Sequence, residues 1–350
     1  MLSWDSIATN LISGHDLTEE QSYWFMNQVM TGELGDIRLA SALTALRIKG
    51  LSVDEVRGCA DAMRDHARTY DLPSDVLDIV GTGGDGHRSV NISTMSAVVL
   101  AASGVPVVKH GNRASTSASG AADVLEALGV CVDREAEDIC RIFREHNIAF
   151  LFANKVHPSM RFAAPVRRTL AFPTIFNLLG PLTNPVRPQS MAIGCSDPRN
   201  AQLMAGVCAG RGISAVIFRG RNTGLDELST ADINEIWMIS EGRITHHEID
   251  VCATYGLSPS TIDDLRGGSA EHNAAVAREV FAGSGHPAII DSVALNVAAG
   301  LLAYGRTEAV GTDNGDIIQR LGAGLEYAKA ILASGKATEL ITQWSQATQS

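Results

Sequence analysis

Two consecutive strand–loop–helix units constrain the fold of this chain more than any other feature of its sequence. The first is the apolar run Asp75–Val80, a glycine-rich loop and a helix predicted over Ser93–Ser103. The second is the strand Pro106–Lys109, a polar loop over residues 111–117 and a helix that ends at Gly129. Strands that alternate with helices form parallel sheets, because each helix returns the chain to the edge where the previous strand began.

The flanking sequence extends this sheet and adds helices. Further strands are predicted at Ala149–Phe152, Ala192–Gly194, Ala215–Arg219 and Glu235–Ile239. The first seventy residues are predicted to be helical, with capping boxes at Thr18/Gln21 and Ser52/Glu55, and the pattern is helical again from Ala270. The predicted fold class is α/β, a mostly parallel central sheet flanked by helices, with a smaller all-helical domain.

The segment His157–Pro185 interrupts the alternation of strands and helices. It is predicted to hold one helix and a loop rich in Gly and Pro, and to fold back onto the N-terminal helices. The expected division is therefore a discontinuous helical domain, residues 1–70 and 158–192, and an α/β domain, residues 71–157 and 193–350.

Composition excludes several classes of protein. A net charge of −11 opposes general binding of nucleic acid, and 5% aromatic residues are too few for a base-stacking platform. The six cysteines do not have metal-ligand spacing, which favours reduced thiols. The N-terminus lacks the pattern of a signal peptide, and the apolar stretch around Ser96–Val108 is interrupted by Ser103, Gly104 and Pro106. We expect a cytoplasmic protein that binds neither nucleic acid nor membrane.

The glycine-rich loop of the first unit has the properties of an anion site. Gly81, Gly83, Gly84 and Gly86 allow positive φ and let backbone N–H groups converge, and the following helix adds its free N–H groups. The alternative to an anion site is a glycine-rich turn that binds no ligand. The G-x-G-x-x-G spacing also occurs in dinucleotide-binding folds, but there the helix starts at the glycines and the second strand ends in an acidic residue. No P-loop motif is present.

The second loop predicts a ligand with two separated phosphate groups. It carries Lys109 and Arg113 after a strand and small hydroxyl residues where the next helix begins. Because neighbouring parallel strands end at the same edge of a sheet, both loops are expected to meet there. Farther along, Asp226 and Glu227 offer the hard oxygen ligands that Mg²⁺ uses beside phosphates, although an acidic pair alone is more often a solvated turn.

These motifs, taken with others in the same order along essentially the whole chain, resemble the anthranilate phosphoribosyltransferase family. The segments that carry the resemblance are Gly81–Gly86, Asn91–Thr94, Lys109–Arg113, Asn177–Pro185, Gly224–Ser229, Gly267-Gly268 and Ala294–Asn296. The resemblance implies transfer of the phosphoribosyl group from 5-phosphoribosyl 1-diphosphate (PRPP) to anthranilate in tryptophan biosynthesis.

The resemblance also implies roles for individual residues. The residues expected to bind PRPP are Gly81, Gly83, Gly84, Asp85, Asn91, Ser93, Thr94, Lys109, Ser117 and Ser119. Those expected to bind anthranilate are Gly81, His110, Asn112, His157, Arg167, Gly180 and Pro181. Two magnesium ions per subunit are expected, with Ser93, Asp226 and Glu227 among their ligands. No acid/base pair is expected, and Lys109 and Asn112 would stabilise or orient the reactants.

Four positions depart from the family pattern. Ala118 and Ala121 replace a lysine and a small polar residue or glycine, Met160 replaces an aromatic residue, and Asn154 replaces proline or glutamine. Arg167 could also be an ordinary arginine on an exposed helix face. The alternative functions are a nucleoside phosphorylase of the same fold and a non-catalytic relative that binds nucleic acid. The resemblance further implies a homodimer formed through the helical domain.

Overall fold

The structure is a computed structural model, which describes residues 2–114, 118–311 and 315–349. Its sheet contains seven strands within those residues: β1 (Leu77–Gly81), β2 (Val107–Gly111), β3 (Ile148–Phe152), β4 (Ser190–Gly194), β5 (Ser214–Gly220), β6 (Asn234–Ser240) and β7 (Arg243–Ile249). The strand order is β3-β2-β1-β4-β5-β6-β7. Strands β1 to β5 are parallel, whereas β6 and β7 are antiparallel to their neighbours.

The helices surround this sheet. They are α1 (Trp4–Ile12), α2 (Glu19–Thr31), α3 (Asp36–Lys49), α4 (Val53–Asp65), α5 (Ile92–Ala102), α6 (Ala121–Ala127), α7 (Ala136–His146), α8 (Ala153–Val156), α9 (Ala164–Leu170), α10 (Phe176–Leu179), α11 (Pro198–Gly210), α12 (Val251–Tyr255), α13 (Ala270–Phe281), α14 (Pro287–Tyr304), α15 (Ile317–Ala333) and α16 (Lys336–Gln349). Short 3₁₀ helices occur at Pro158–Phe162, Gly180–Leu182, Ile262–Leu265 and Glu308–Val310.

The predicted fold class is confirmed, and all six predicted strands are present with small shifts at their ends. Strand β7 is not among the predicted strands, because its sequence is polar and most of its residues are exposed, as in an edge strand with little to bury. The residues between β6 and β7, Glu241 and Gly242, have φ angles of 52° and 73°. Two residues with positive φ are typical of a tight hairpin turn.

Both predicted capping boxes are present in the N-terminal helices. The Thr18 and Ser52 side chains accept hydrogen bonds from the N–H groups of Gln21 and Glu55. The carboxylate of Glu55 also accepts from the N–H of Leu17 and lies 3.0 Å from Lys49 Nζ. Glu55 of α4 thus joins this helix to the end of α3 and to the turn that precedes α2.

Two hydrophobic clusters cover opposite faces of the sheet. Successive residues of a strand point to opposite faces, so Ala192 packs with α14, whereas Met191 and Ile193 pack with the N-terminal helices. The second cluster also contains residues of α9, α10 and α11. This shared cluster supports the proposed return of residues 158–192 to the helical domain, although it continues onto β4 and β5. The exact domain boundaries stay a prediction.

The returning segment and the apolar helices differ from the prediction. Residues 157–185 form two short α-helices and two 3₁₀ helices instead of one helix. The longest apolar helix among the described residues is α14, not the stretch around Ser96–Val108, and its 18 residues are apolar enough to cross a membrane by composition. However, 78% of α14 is buried in the protein, which is typical of a core helix.

Candidate active site

The two predicted anion-binding loops lie at the same edge of the sheet. Strands β1, β2 and β4 are neighbours and end at Gly81, Gly111 and Gly194. The loop that carries Asp226 lies against two of these strand ends. A Cβ atom on Gly194 would overlap the Asp226 carbonyl oxygen, and one on Gly81 would come within 2.5 Å of Asp226 Oδ2. Glycine at these strand ends therefore leaves room for the acidic loop.

The glycine loop has the backbone conformation that its sequence predicts. Gly83, Gly84 and Gly86 have φ angles of 65°, 79° and 79°, which are strained for residues with a side chain. Helix α5 begins only at Ile92, so the loop does not lead directly into a helix as in dinucleotide-binding folds. The N–H of Gly83 donates to Asp226 Oδ2 at 2.7 Å.

The acidic pair is buried, so it is not the solvated turn that an isolated Asp-Glu sequence suggests. Asp226 and Glu227 are 7% and 6% exposed. Glu227 Oε1 accepts a hydrogen bond from the N–H of Ser93 at 3.1 Å. Burial raises the pKa of Asp226 to about 7, and the negative charge of Asp85 acts in the same direction. Burial and the charge of Asp226 also raise the pKa of Glu227 well above its usual range.

This cluster fits a divalent cation. Burial next to like charges destabilises the ionised carboxylates, and a cation would relieve that cost. The Oδ2 atom of Asp85 is buried without a hydrogen-bond partner in the part of the chain that the structure describes. Carboxylates and the Ser93 hydroxyl are the hard oxygen donors that Mg²⁺ prefers. The donor set therefore has the chemistry of a magnesium site.

Lys109 is buried next to Ser93 of the proposed magnesium site. Its Nζ donates to the carbonyl oxygen of Ile79 and lies 3.3 Å from Ser93 Oγ. Burial lowers the pKa of Lys109, while the negative charge of Asp78 acts against that shift. Ser93 thus contacts both the lysine, through its hydroxyl, and Glu227, through its backbone N–H.

The phosphate contacts predicted at the start of α5 and near the second loop differ in their surroundings. The Asn91 side chain donates to the Ser119 carbonyl at 3.1 Å and accepts from Asn273 at 2.8 Å, so it braces the loop from within. Ser119 is buried, and Thr94 Oγ1 is buried without a partner among the described atoms. Ser117 lies outside the described residues.

Two histidines occupy the region predicted for the acceptor. The rings of His110 and His157 lie edge to face, with 5.1 Å between their centroids. Burial lowers the pKa of His110 to about 3 and that of His157 to about 4, so both are neutral at pH 7. His110 Nε2 is buried without a hydrogen-bond partner within residues 2–114, 118–311 and 315–349. Backbone groups of Gly180 and Thr183 interact with His110 and His157 and oppose the effect of burial on their pKa values. The Nε2 atom of His110 is therefore open to a polar ligand.

Arg167 and Arg168 have different environments, although they are adjacent. Arg167 is half-buried, with its guanidinium 5.1 Å from the centre of the Phe176 ring, whereas Arg168 is exposed. No carboxylate of the described residues forms an ion pair with Arg167, and burial lowers its pKa. This environment argues against an ordinary surface arginine. It leaves the guanidinium available to an external anion.

The remaining residues predicted to bind the acceptor, Asn112, Gly180 and Pro181, differ in exposure. The Asn112 side chain accepts from the N–H of Arg113 at 2.8 Å and donates to Asn154 Oδ1 at 3.3 Å. Gly180 has open space where a Cβ would be, and Pro181 beside it is buried. Asn154, one of the departures from the family pattern, is thus the hydrogen-bond partner of a predicted site residue.

Several residues that position the site were not predicted as functional. Asn184 donates to Asp78 Oδ2 at 3.0 Å and to the Val108 carbonyl, which joins the returning segment to β1 and β2. Burial raises the pKa of Asp78 to about 6, against the positive charge of Lys109. The sequence does contain a signal for this contact: Asp78 is an acidic residue inside the apolar run of β1, and a buried carboxylate needs hydrogen-bond partners.

Two further contacts fix the acidic loop. Asn296 of α14 accepts from the N–H of Leu228 at 3.3 Å and donates to its carbonyl at 2.9 Å. His87 Nε2 lies 2.9 Å from the Thr223 carbonyl, which links the glycine loop to the start of the acidic loop. An asparagine within an apolar helix is a recognisable signal, whereas nothing in the sequence indicates the partner of His87.

Comparison with known proteins identifies the family. Residues 73–338 match the family described as "Glycosyl transferase family, a/b domain", and residues 6–67 match "Glycosyl transferase family, helical bundle domain". An anthranilate phosphoribosyltransferase of Nocardia farcinica is 46% identical over 336 residues, which cover 96% of each chain.

Solved structures agree with the sequence relatives. The anthranilate phosphoribosyltransferase of Thermus thermophilus has a TM-score of 0.89 and 37% identity, covering 98% of this chain and 99% of its own. The enzyme of Saccharomyces cerevisiae in complex with PRPP and Mg has a TM-score of 0.85 and 26% identity, covering 99% and 98%. This chain belongs to the anthranilate phosphoribosyltransferase family.

Proposed function

We propose that this chain is a cytoplasmic enzyme that transfers the phosphoribosyl group from PRPP to anthranilate, giving N-(5-phosphoribosyl)anthranilate and diphosphate. The observation that carries the proposal is the buried pair Asp226 and Glu227, hydrogen-bonded to the glycine loop and to the start of α5. These elements meet where a ligand with two phosphate groups and a metal ion would bind. Family membership supports the same reaction.

The product distinguishes this activity from that of a nucleoside phosphorylase. Incubation with PRPP, anthranilate and Mg²⁺, followed by mass spectrometry, should detect phosphoribosyl-anthranilate and an equal amount of diphosphate. Incubation with pyrimidine nucleosides and phosphate should give no free base. The reverse pattern would mean that the proposed acceptor is wrong.

We assign PRPP to the glycine loop and the second loop. The N–H groups of the loop around Gly83 and of the first turn of α5 would receive the diphosphate, because they converge at a positive helix end. Thr94 Oγ1, which is buried and unpartnered in the described part of the chain, and the backbone near Ser119 would take up the rest of the anion. Asn91 would hold the second loop in place through its two side-chain bonds.

The magnesium site is assigned to Ser93, Asp226 and Glu227, and we propose two ions per subunit. Magnesium there would neutralise charge that develops on the diphosphate. Magnesium binding by this family is supported by the yeast complex with PRPP and Mg. Asp85 is a further carboxylate within reach of the cluster, since its charge acts on both Asp226 and Glu227.

Anthranilate is assigned to the space between the ends of β2 and β3 and the returning segment. The unpartnered Nε2 of His110, the ring of His157 and the side chain of Asn112 would contact it, beside Gly180 and Pro181. Arg167, with no ion-pair partner in the described chain, would pair with its carboxylate. Ligands held by both domains would bring the domains together on binding.

The chemistry needs no strong base before attack, because the aromatic amine of anthranilate is neutral at pH 7. The difficult step is departure of diphosphate from the ribose carbon, which places positive charge on the sugar and negative charge on the leaving group. The buried ammonium group of Lys109 and the N–H groups of the glycine loop would stabilise that negative charge. Arg167 and Asn112 would hold the amine in line with the ribose carbon.

Replacing Arg167 with Ala is expected to lower kcat/KM for anthranilate. The loss should be roughly ten- to hundredfold, the equivalent of one charged hydrogen bond. The Kd of PRPP, measured by calorimetry, should change little because PRPP contacts the glycine loop. Arg168→Ala is the matched control and should leave kcat/KM for anthranilate nearly unchanged, since Arg168 is exposed. Equal losses in both variants, or a loss confined to PRPP binding, would contradict the assignment.

A homodimer through the helical domain is part of the proposal. Ile12, Ile37 and Ile48 are 84%, 85% and 82% exposed. Ile37 and Ile48 are eleven residues apart, close to three full turns, so they lie on the same side of α3. Helix α1, which carries Ile12, packs against α3. Exposed isoleucines on two neighbouring helices support a surface that a second copy covers.

The oligomeric state tests this surface. Ile37→Asp with Ile48→Asp should convert a dimer to monomers in analytical ultracentrifugation, because each aspartate would be buried in the interface without a partner. Ile244→Asp on β7, 41% exposed, is the control and should leave the dimer intact. A monomeric wild-type protein, or a dimer insensitive to both changes on α3, would refute this interface.

A further inference from the structure

A cavity lined by three arginines lies at the edge of the sheet opposite the candidate active site. Its volume is about 240 Å³, which is close to the liquid volume of about eight water molecules. Arg64, Arg187 and Arg211 line it, together with apolar residues that include Met191 and Ile213. None of the described residues that line it carries a carboxylate.

The cavity is separate from the acidic pair, although Leu182 and Asn184, which follow Gly180 and Pro181 in the chain, also line it. Met191 is the second residue of β4, and Ile213 directly precedes β5, so both mark the edge where these parallel strands begin. The acidic loop lies against Gly194, where β4 ends. Three residues of extended strand separate Met191 from Gly194, or about 10 Å. A ligand in this cavity would therefore not contact Asp226.

The three arginines carry three positive charges, but among the described residues they pair with two carboxylates, those of Asp61 and Asp65. Arg64 and Arg211 both donate to the same oxygen, Asp61 Oδ1, at 2.6 and 2.7 Å. Arg187 pairs with Asp65 at 2.6 Å. The side chains of Arg64 and Arg211 are only 12% and 9% exposed. Two buried guanidinium groups thus share one carboxylate oxygen, which leaves an excess of positive charge beside the cavity.

The hydrogen bonds of these arginines are also incomplete. The Nε atoms of Arg64 and Arg211 are buried and have no acceptor in the described part of the chain. Arg211 Nη1 donates to the Leu182 carbonyl at 2.9 Å, so that group is already used. Burial lowers the pKa of Arg64 to about 10, and the charge of Arg211 acts in the same direction. Buried donors without acceptors beside an open volume indicate an absent acceptor.

We propose that this cavity binds the oxyanion group of a small molecule, a phosphate or a carboxylate. A guanidinium presents several N–H donors in a plane and pairs with either group. Arg64 belongs to α4, Arg187 to the segment that leads into β4, and Arg211 to the end of α11. An anion held by all three would fasten the helical bundle to the beginning of the sheet.

Calorimetric titration tests the proposal, with inorganic phosphate and succinate as separate probes at low ionic strength and without Mg²⁺. The wild-type protein should bind at least one probe, and part of that binding should depend on the arginines of the cavity. Arg211→Met should weaken this binding at least tenfold, roughly the effect of losing one charged hydrogen bond. Arg187→Met, at a more exposed position, should weaken the binding less. It replaces Arg211→Met as the test variant if Arg211→Met does not fold. Arg243→Met, on the exposed part of β7, removes the same charge and should have no effect.

A variant of the glycine loop separates this site from the catalytic site. Gly83→Val should retain the binding of phosphate or succinate if the anion occupies the arginine cavity. Binding lost in Gly83→Val but kept in Arg211→Met would place the anion in the glycine loop and overturn the proposal. Failure of the wild-type protein to bind either probe at millimolar concentration would overturn it as well.

Discussion

Replacing Asp226 with Asn together with Glu227 with Gln is expected to lower kcat/KM by a factor of roughly a hundred to a thousand, the range found when one preorganised electrostatic contributor to catalysis is removed. The amide oxygens can still accept from the N–H groups of Gly83 and Ser93, so the fold should be retained. What is lost is the negative charge that binds a cation. Steady-state kinetics across a magnesium titration measure the effect.

The control for this double variant is Glu19→Gln with Glu20→Gln at the start of α2. It removes two adjacent carboxylates as well, but these lie on the surface of the helical bundle, and within the described chain only Glu19 has an ion pair, with Arg57. Its magnesium dependence should match that of the wild-type enzyme. Unchanged kinetics in the Asp226/Glu227 variant across the whole titration would refute the metal role of the pair.

Gly83→Val is expected to abolish measurable PRPP binding while the melting temperature falls by only a few degrees. Gly83 has a φ of 65°, which a β-branched residue rarely adopts, so valine would strain the loop and move the N–H that faces Asp226. A Cβ at this position would meet no described atom within 4 Å, so the loss would not result from collision with the protein. Calorimetry measures binding, and thermal unfolding measures stability.

Gly14→Val provides a matched control. Gly14 has a φ of 73° and open space around its Cβ position, but it follows α1, far along the chain from the glycine loop. The strain should cost similar stability without affecting PRPP. If Gly83→Val bound PRPP normally, the loop would be a simple turn with no part in ligand binding.

Features encoded by neighbouring residues could be predicted from the sequence. The capping boxes at Thr18 and Ser52 involve residues three apart, and the glycine loop shows its positive φ angles in its composition. The strands β1 to β5 are buried, so their apolar runs are clear. Strand β7 lacks such a run, because it lies at the edge of the sheet and is mostly exposed.

Contacts between distant parts of the chain could not be predicted. Asn184 and Asp78 are 106 residues apart, and Asn296 and Leu228 are 68 apart. Each asparagine satisfies buried polar groups that only the folded chain brings together. The resemblance to the family named Asp226, Glu227 and Arg167 as site residues, but the burial of the acidic pair and the lack of an ion pair at Arg167 within the described chain are properties of the three-dimensional structure.

The central claim is that the glycine loop and the buried carboxylates act together on PRPP with a divalent ion. The most direct test follows the fluorescence of anthranilate in the presence of enzyme, PRPP and Mg²⁺. We predict that the fluorescence decays with all three present, and that it stays constant without PRPP or with excess chelator. Full turnover in excess chelator, or constant fluorescence in the complete mixture, would contradict the account.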